Sequence, residues 1–168
     1  TDDVVDAILE EAARFAGEVL SPLNATGDKV GAKLKDGVVT TPPGFKEAYR
    51  QFVEGGWGNI IAPPDFGGQG LPHLLSTAVE EMWGSANIAF KLCPMLTLGA
   101  VEALHRNASD DLKRRFLPNM VSGKWTGTMN LTEPQAGSDL SLVRTKAVPQ
   151  ADGTYRLTGE KIFITYGE

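Results

Sequence analysis

Ser109–Pro134, SDDLKRRFLPNMVSGKWTGTMNLTEP, is the stretch in which this chain changes its repeat. Up to Gly123 the apolar residues Leu112, Phe116, Leu117 and Met120 return every three or four positions, the spacing of one helix face. Ser109 stands where an N-cap belongs, ahead of a helix over Asp110–Val121. After Gly123 the helical spacing is gone, and Lys124–Leu131 reads as a strand. The chain is therefore read as multi-domain, α first and β second. An all-α helical bundle occupies residues 1–123, and the first strands of a β-barrel-like domain occupy 124–168.

Toward the N-terminus the helical spacing recurs. Val5, Ile8, Ala12, Phe15 and Val19 form an apolar stripe over Asp2–Leu20, with Thr1 or Asp2 as cap and Pro22 as its end. Residues 22–42 read as an exposed loop. A helix opens at Pro42–Pro43 and runs to Glu54 with Phe45, Ala48, Tyr49 and Phe52 inward, and Gly55–Gly56 stops it. The Gly- and Pro-dense stretch GGWGNIIAPPDFGGQGLP (55–72) reads as a turn-rich connector, followed by helices over Leu74–Trp83 and Ile88–Arg106. No strand longer than a bridge is expected between Ile8 and Arg106. Toward the C-terminus, Arg144–Val148, Thr154–Leu157 and Lys161–Thr165 read as strands, with Asp152–Gly153 as a hairpin turn. Four strands do not close a barrel and would leave an open edge. The chain is accordingly read as a piece of a longer protein whose remainder completes the β domain.

Sixteen basic against twenty-one acidic residues give a net charge of −5, the wrong sign for a general grip on nucleic acid. The single cysteine, Cys93, has no partner for an internal disulfide and fits a reducing, cytoplasmic setting. The acidic, amphipathic start resembles neither a secretory signal nor an Arg-rich transit peptide. No apolar run approaches the ~20 residues of a membrane span, so no membrane partner is expected.

Several features carry no chemistry on this reading. His73 and His105 have no ligand spacing and are expected at solvated or helix-end positions. Cys93 is expected as a buried thiol, and Trp57, Trp83 and Trp125 as core residues. Lys113, Arg114 and Arg115 follow Asp110 and Asp111 at pairing distance along a helix. Gly67-Gly68-Gln69-Gly70 lacks the spacing of a phosphate loop and reads as a structural turn.

One run does carry chemistry. LTEPQAGSDLSLVRT, Leu131–Thr145, follows the strand-like GTMNL and offers the hydroxyls of Thr132 and Ser138. Pro134 and Gly137 fix an irregular backbone whose N–H groups can point at a ligand. Glu133 and Asp139 are assigned to turn capping. Downstream, GEKIFIT places an aromatic, Phe163, before another hydroxyl, Thr165. A flat, electron-accepting ring can lie against such a face, with hydrogen bonds at its edge from Thr132 and Thr165.

These two segments, T-E-P-x-A-G-S-D and then x-G-x-K-x-F-I-T, resemble the flavin-binding signature of the acyl-CoA dehydrogenases. The helical half and SDDLKRRFLPNMVSGKWTGTMNLTEP resemble that family's N-terminal domain and its approach to the middle β domain. GWGNIIAPPDFGGQGLPHLLSTAVEEMWGSANIAF and FITYGE are closer to its long-form branch, the enzymes similar to 3-methylmercaptopropionyl-CoA dehydrogenase. The resemblance implies FAD as cofactor. It implies that Met129 packs on the ring system and that Leu131 and Thr132 meet the pyrimidine edge. Gly137 and Ser138 would lie near the pyrophosphate, with Ser138 also in reach of the acyl-CoA substrate. Phe163, Ile164 and Thr165 would form the second flavin segment. Phe163 replaces a tryptophan of many relatives and Met129 a frequent aromatic.

The function implied is oxidation of an acyl-CoA thioester to the trans-2-enoyl-CoA, with an electron-transfer flavoprotein as electron acceptor and a homo-oligomeric parent protein. The family's catalytic base lies in a C-terminal helical domain, and no residue of this chain matches it. The alternative is an alkylation-response relative that binds both flavin and DNA, which the acidic balance disfavours.

Overall fold

The computed structural model describes residues 1–165, so 166–168 of the expected β region lie outside the described residues. Two compact units form, Thr1–Gly127 and the segment from Thr128 onward.

In the first unit, α1 (Asp2–Phe15) begins with Asp2 and Asp3 in its first turn, where the N-terminal end of the helix dipole favours negative charge. It does not stop at Pro22. A wide turn over Ala16–Leu20, in which Ser21 N–H reaches back five residues to the Ala16 carbonyl, leads directly into α2 (Ser21–Val30). Pro22 falls in the first turn of α2, where its missing N–H is tolerated, so it starts a helix and does not end one.

The expected loop at 22–42 is therefore corrected, and so is the expectation of no strand between Ile8 and Arg106. That stretch contains α2 and a hairpin of β1 (Lys33–Lys35) and β2 (Val38–Thr40), paired antiparallel with Leu34 opposite Val39. Asp36 (φ 52°) and Gly37 (φ 79°) make the left-handed two-residue turn that an Asp-Gly pair favours. The strands are exposed on both faces and add nothing to the core, which is why hydrophobic spacing did not reveal them.

The remaining helices fall close to their expected bounds: α3 (Phe45–Glu54), α4 (His73–Ala86), α5 (Ile88–Asn107) and α6 (Asp110–Val121). One core joins Phe15, Leu20, Phe52, Val79, Trp83 and Phe90. Most of its aromatic pairs meet edge-on, with Phe52–Trp83 centroids 5.3 Å apart and Trp57–Trp83 5.4 Å, while Phe15 stacks on Trp57. A second cluster packs Ala62 and Val101 with Leu117, Met120 and Val121 of α6.

Asn87 is 1% exposed and serves both sides of a junction. Its Oδ1 accepts the Phe90 N–H at 3.0 Å, capping α5, while its Nδ2 donates to the Leu20 carbonyl at 3.2 Å. By length and composition alone, α5 is apolar enough to cross a bilayer, contrary to the sequence expectation. In the fold it lies against α4 and α6, burying Phe90, Thr97 and Val101.

Several smaller expectations are also settled. Gly68 is required by a close approach: a Cβ there would stand 1.9 Å from the Ala62 carbonyl oxygen, so the Gly67–Gly70 stretch is a structural turn. Lys113 pairs with Asp110 at 3.8 Å and Arg114 with Asp111 at 2.5 Å, while Arg115 lies over the Phe116 ring. His73 is exposed at the start of α4, and His105 meets Phe66 edge-on near the end of α5. Cys93 is half-buried, not buried, and Trp125 and Leu112 are over 40% exposed, so neither is a core residue. Gly127 still belongs to this unit, because its N–H donates to the Thr97 hydroxyl at 3.0 Å.

From Thr128 the chain is mostly irregular. β3 (Lys146–Pro149) and β4 (Tyr155–Thr158) form an antiparallel hairpin with Lys146 opposite Thr158. Its turn uses Gly153 at φ 82°, with Asp152 Oδ1 accepting the Thr154 N–H at 2.9 Å. The strands expected at Lys124–Leu131 and Lys161–Thr165 are not formed. A strand is defined by its ladder, and the one backbone bond from the second segment toward the first among the described residues, Ile162 N–H to the Thr132 carbonyl at 3.0 Å, falls just past the end of the first segment.

Candidate flavin-binding site

The loop after Leu131 is built on a small closed turn. Glu133 and Ala136 exchange backbone hydrogen bonds, each 3.0 Å, which brings Pro134 and Gln135 to the tip. Asp139 then caps the next turn, accepting from the Ser141 amide at 3.0 Å and the Ser141 hydroxyl at 2.6 Å, as expected of it.

Glu133 does more than cap. Its carboxylate is 2% exposed and accepts from the Arg144 amide at 2.8 Å, the Thr145 amide at 3.0 Å, Lys161 Nζ at 2.8 Å and Gln135 Nε2 at 2.5 Å. The Lys161 ammonium first, then Thr145 and the Arg144 amide, hold this carboxyl far below the usual carboxylate range. One buried anion thus ties together three stretches of sequence at 133, 144–145 and 161. Lys161 also donates to the Leu131 carbonyl at 2.9 Å. Sequence reading carried Lys161 as a position of the second motif without giving it a role, and placed Glu133 among turn caps. The available signal was an acid and a lysine at matched places in the two polar segments.

The candidate residues take up a consistent arrangement around this tie. The Ile162–Thr132 bond sets Leu131–Thr132 beside Phe163–Ile164. Met129, Leu131 and Ile164 are substantially exposed, and Phe163 is 85% exposed with φ 52°. Thr132 and Thr165 are half-buried, and Gly137 and Ser138 are exposed beyond the Glu133–Ala136 turn. Gly137 and Ser138 make no hydrogen bond to 161–165 among the described residues, so the two segments are joined through Leu131, Thr132 and Glu133 and not at Gly137–Ser138.

The donor set suits a flat ring carrying a polar edge and a phosphate tail. Among the described residues, the amides of Leu131, Thr132, Gly137 and Ser138 make no hydrogen bond, nor do the hydroxyls of Thr132 and Ser138. A Cβ at Gly137 would meet nothing within 4 Å, so the backbone there is open to close approach. Uncovered apolar side chains beside unspent N–H donors are what such a ligand requires. Among the described residues no cluster of His, Cys, Asp and Glu is placed to hold a metal ion.

Residues 3–124 match the model of the acyl-CoA dehydrogenase N-terminal domain. The chain belongs to the acyl-CoA dehydrogenase family. It is 52% identical over 166 residues to 3-methylmercaptopropionyl-CoA dehydrogenase of Ruegeria pomeroyi, covering 99% of this chain and 28% of that relative. Its fold is similar to butyryl-CoA dehydrogenase from Megasphaera elsdenii, with a TM-score of 0.81 and 27% identity over 98% of this chain and 41% of that one. It is also similar to the FAD complex of PigA, with a TM-score of 0.76 and 29% identity over 96% of this chain and 40% of that one. The chain therefore spans well under half the length of these relatives.

Proposed function

We propose that this chain is the N-terminal part of an FAD-dependent acyl-CoA dehydrogenase, with residues 1–123 as the helical N-terminal domain and 124–168 as the start of the flavin-binding middle domain. The observation that carries the proposal is the meeting of Leu131–Thr132 with Phe163–Ile164 around unspent amides. FAD supplies the hydride acceptor when bound. Met129 and Phe163 present apolar surface to the ring, and Ile164 extends the second segment beside Phe163. The Leu131 and Thr132 amides and the Thr132 and Thr165 hydroxyls donate at its polar edge, where negative charge grows on reduction. Gly137 and Ser138 offer two adjacent amides and a hydroxyl to the pyrophosphate, and Ser138 also to the acyl-CoA. The base that removes the α proton of the thioester is not among the residues of this chain.

An acyl-CoA substrate, an electron-transfer flavoprotein as acceptor, a homo-oligomeric parent and a cytoplasmic setting belong to the same proposal. The comparisons lend no support to the DNA-binding alternative, and the net charge of −5 runs against it.

The test is made in the full-length protein. Thr132→Ala is expected to slow flavin reduction at saturating acyl-CoA, the loss of one fixed donor being worth ~2–4 kcal/mol of transition-state stabilisation. Ser138→Ala is expected to weaken FAD or substrate affinity while sparing the reduction rate. Unchanged FAD titrations and reduction rates for both variants would remove the flavin from this face.

A further inference from the structure

We infer that Lys161 is a positioning residue whose ammonium, anchored by buried Glu133, aims the Thr132 N–H at the polar edge of the cofactor. The inference rests on the proposed flavin face at 129–138 and 163–165.

The geometry fixes two successive peptide units, Leu131–Thr132 and Thr132–Glu133. Lys161 Nζ, 2.8 Å from Glu133 Oε1, also holds the Leu131 carbonyl at 2.9 Å. The Thr132 carbonyl is held by Ile162 N–H at 3.0 Å, and the Glu133 N–H is spent on the Ala136 carbonyl at 3.0 Å. Within these two peptide units the Thr132 N–H is the one group left unspent among the described residues. In a trans peptide the carbonyl and the N–H point opposite ways. Binding the Leu131 carbonyl to Lys161 therefore turns the Thr132 N–H away from the ion pair.

The ammonium also acts through the peptide. A carbonyl polarised by a cation makes the N–H of the same amide a stronger donor, because hydrogen bonds in a chain reinforce one another. Lys161 is one-fifth exposed and Glu133 is buried, so water screens this effect only in part. A stronger donor at the flavin edge favours the reduced, negatively charged form over the oxidised one. Lys161 thereby acts on the redox equilibrium without touching the cofactor.

The experiment compares Lys161→Met, Lys161→Arg and Glu133→Gln in the full-length protein loaded with FAD. It reads the midpoint potential of the bound flavin alongside the melting transition of the apo-protein. Lys161→Met is expected to disfavour the reduced form at least ~tenfold, about 30 mV more negative for a two-electron couple. Lys161→Arg is expected to recover most of that shift, and Glu133→Gln to give a smaller shift of the same sign. Flavin that stays bound in Lys161→Met with its potential unchanged overturns the inference. If Lys161→Met retains no flavin, Glu133→Gln decides: a shifted potential supports the inference and an unshifted one overturns it. Loss of flavin from both variants with collapse of apo melting would make the pair merely structural and also overturn it, whereas loss with apo melting intact supports positioning. Failure of the flavin reading itself is distinct, because Thr132→Ala and Ser138→Ala would then leave FAD binding and reduction unchanged.

Discussion

The helical unit and the segment after Thr128 are held together by opposite means. The first buries a continuous apolar and aromatic core, from Phe15 and Leu20 on the N-terminal helices to Trp83 and Phe90. In the second, among the described residues, only Ala136 and the charged Glu133 are buried. The first is ordered by area removed from water, and the second by hydrogen bonds converging on one carboxylate. The difference bears on function. A packed core leaves little surface unspent, whereas a loop tied by a single buried anion leaves amides and apolar side chains facing outward. A cofactor can use both.

The largest expected effect breaks the apolar side of this comparison. Trp83→Ala removes the ring at the centre of the aromatic cluster, touching Phe15, Phe52 and Trp57 edge-on. It should cost ~3–5 kcal/mol, measured as the loss of helical signal in denaturant. A cost under about 1 kcal/mol would show that the cluster does not hold the unit together.

Next comes the polar residue inside the apolar unit. Asn87→Ala removes the cap of α5 and leaves the Leu20 carbonyl without its donor. The expected loss is about 2–3 kcal/mol by the same measurement, more than an exposed cap would give. Asn87→Asp should keep the cap to Phe90 and lose the bond to Leu20, separating the two contributions.

The third prediction concerns pH and sharpens the contrast directly. Glu133 has its folded pKa depressed by Lys161 and its other donors, so its contribution is fully present above the unfolded carboxylate pKa of about 4.3. That contribution is lost as pH falls below this value toward the depressed folded one. Between pH 7 and pH 3, amide exchange at Ile162, normalised for intrinsic rate, should accelerate before the amides of α4 and α5 do. Glu47, held down to about 2 chiefly by Arg50, lies on an exposed face of α3 and should contribute little over the same range. Simultaneous loss of protection in both regions would show that the carboxylate does not hold the loop separately.

The smallest effect is expected in the β1–β2 hairpin. Leu34 is 74% exposed, so Leu34→Ser should change stability by no more than ~0.5 kcal/mol. A larger loss would mean that the hairpin shares in the helical core.

How far the fold was legible depended on what each element does with its side chains. Helices α3 to α6 bury one face, and that face shows in the spacing of Phe52, Val79, Val101 and Leu117. The β1–β2 hairpin buries nothing, so hydrophobic spacing was silent. Its Asp36–Gly37 pair was the signal, overlooked within a polar stretch. Pro22 misled because a proline that ends one helical turn can begin the next, and the wide turn at Ala16–Leu20 that permits this leaves no mark in the hydrophobic pattern. Lys124–Leu131 and Lys161–Thr165 have strand-like residues but no ladder partner among the described residues, and composition does not supply a neighbour.

By itself the sequence determined the order of the regions, the bounds of the later helices and the two polar segments around Thr132 and Phe163, since these are written in local spacing and residue type. Tertiary structure alone decided that Glu133 is buried, that Lys161 reaches both it and the Leu131 carbonyl, and that Asn87 closes on Leu20. Each of those contacts joins residues 28 to 67 positions apart. A buried polar group is stable only where its partners converge, and that convergence is a property of the folded chain.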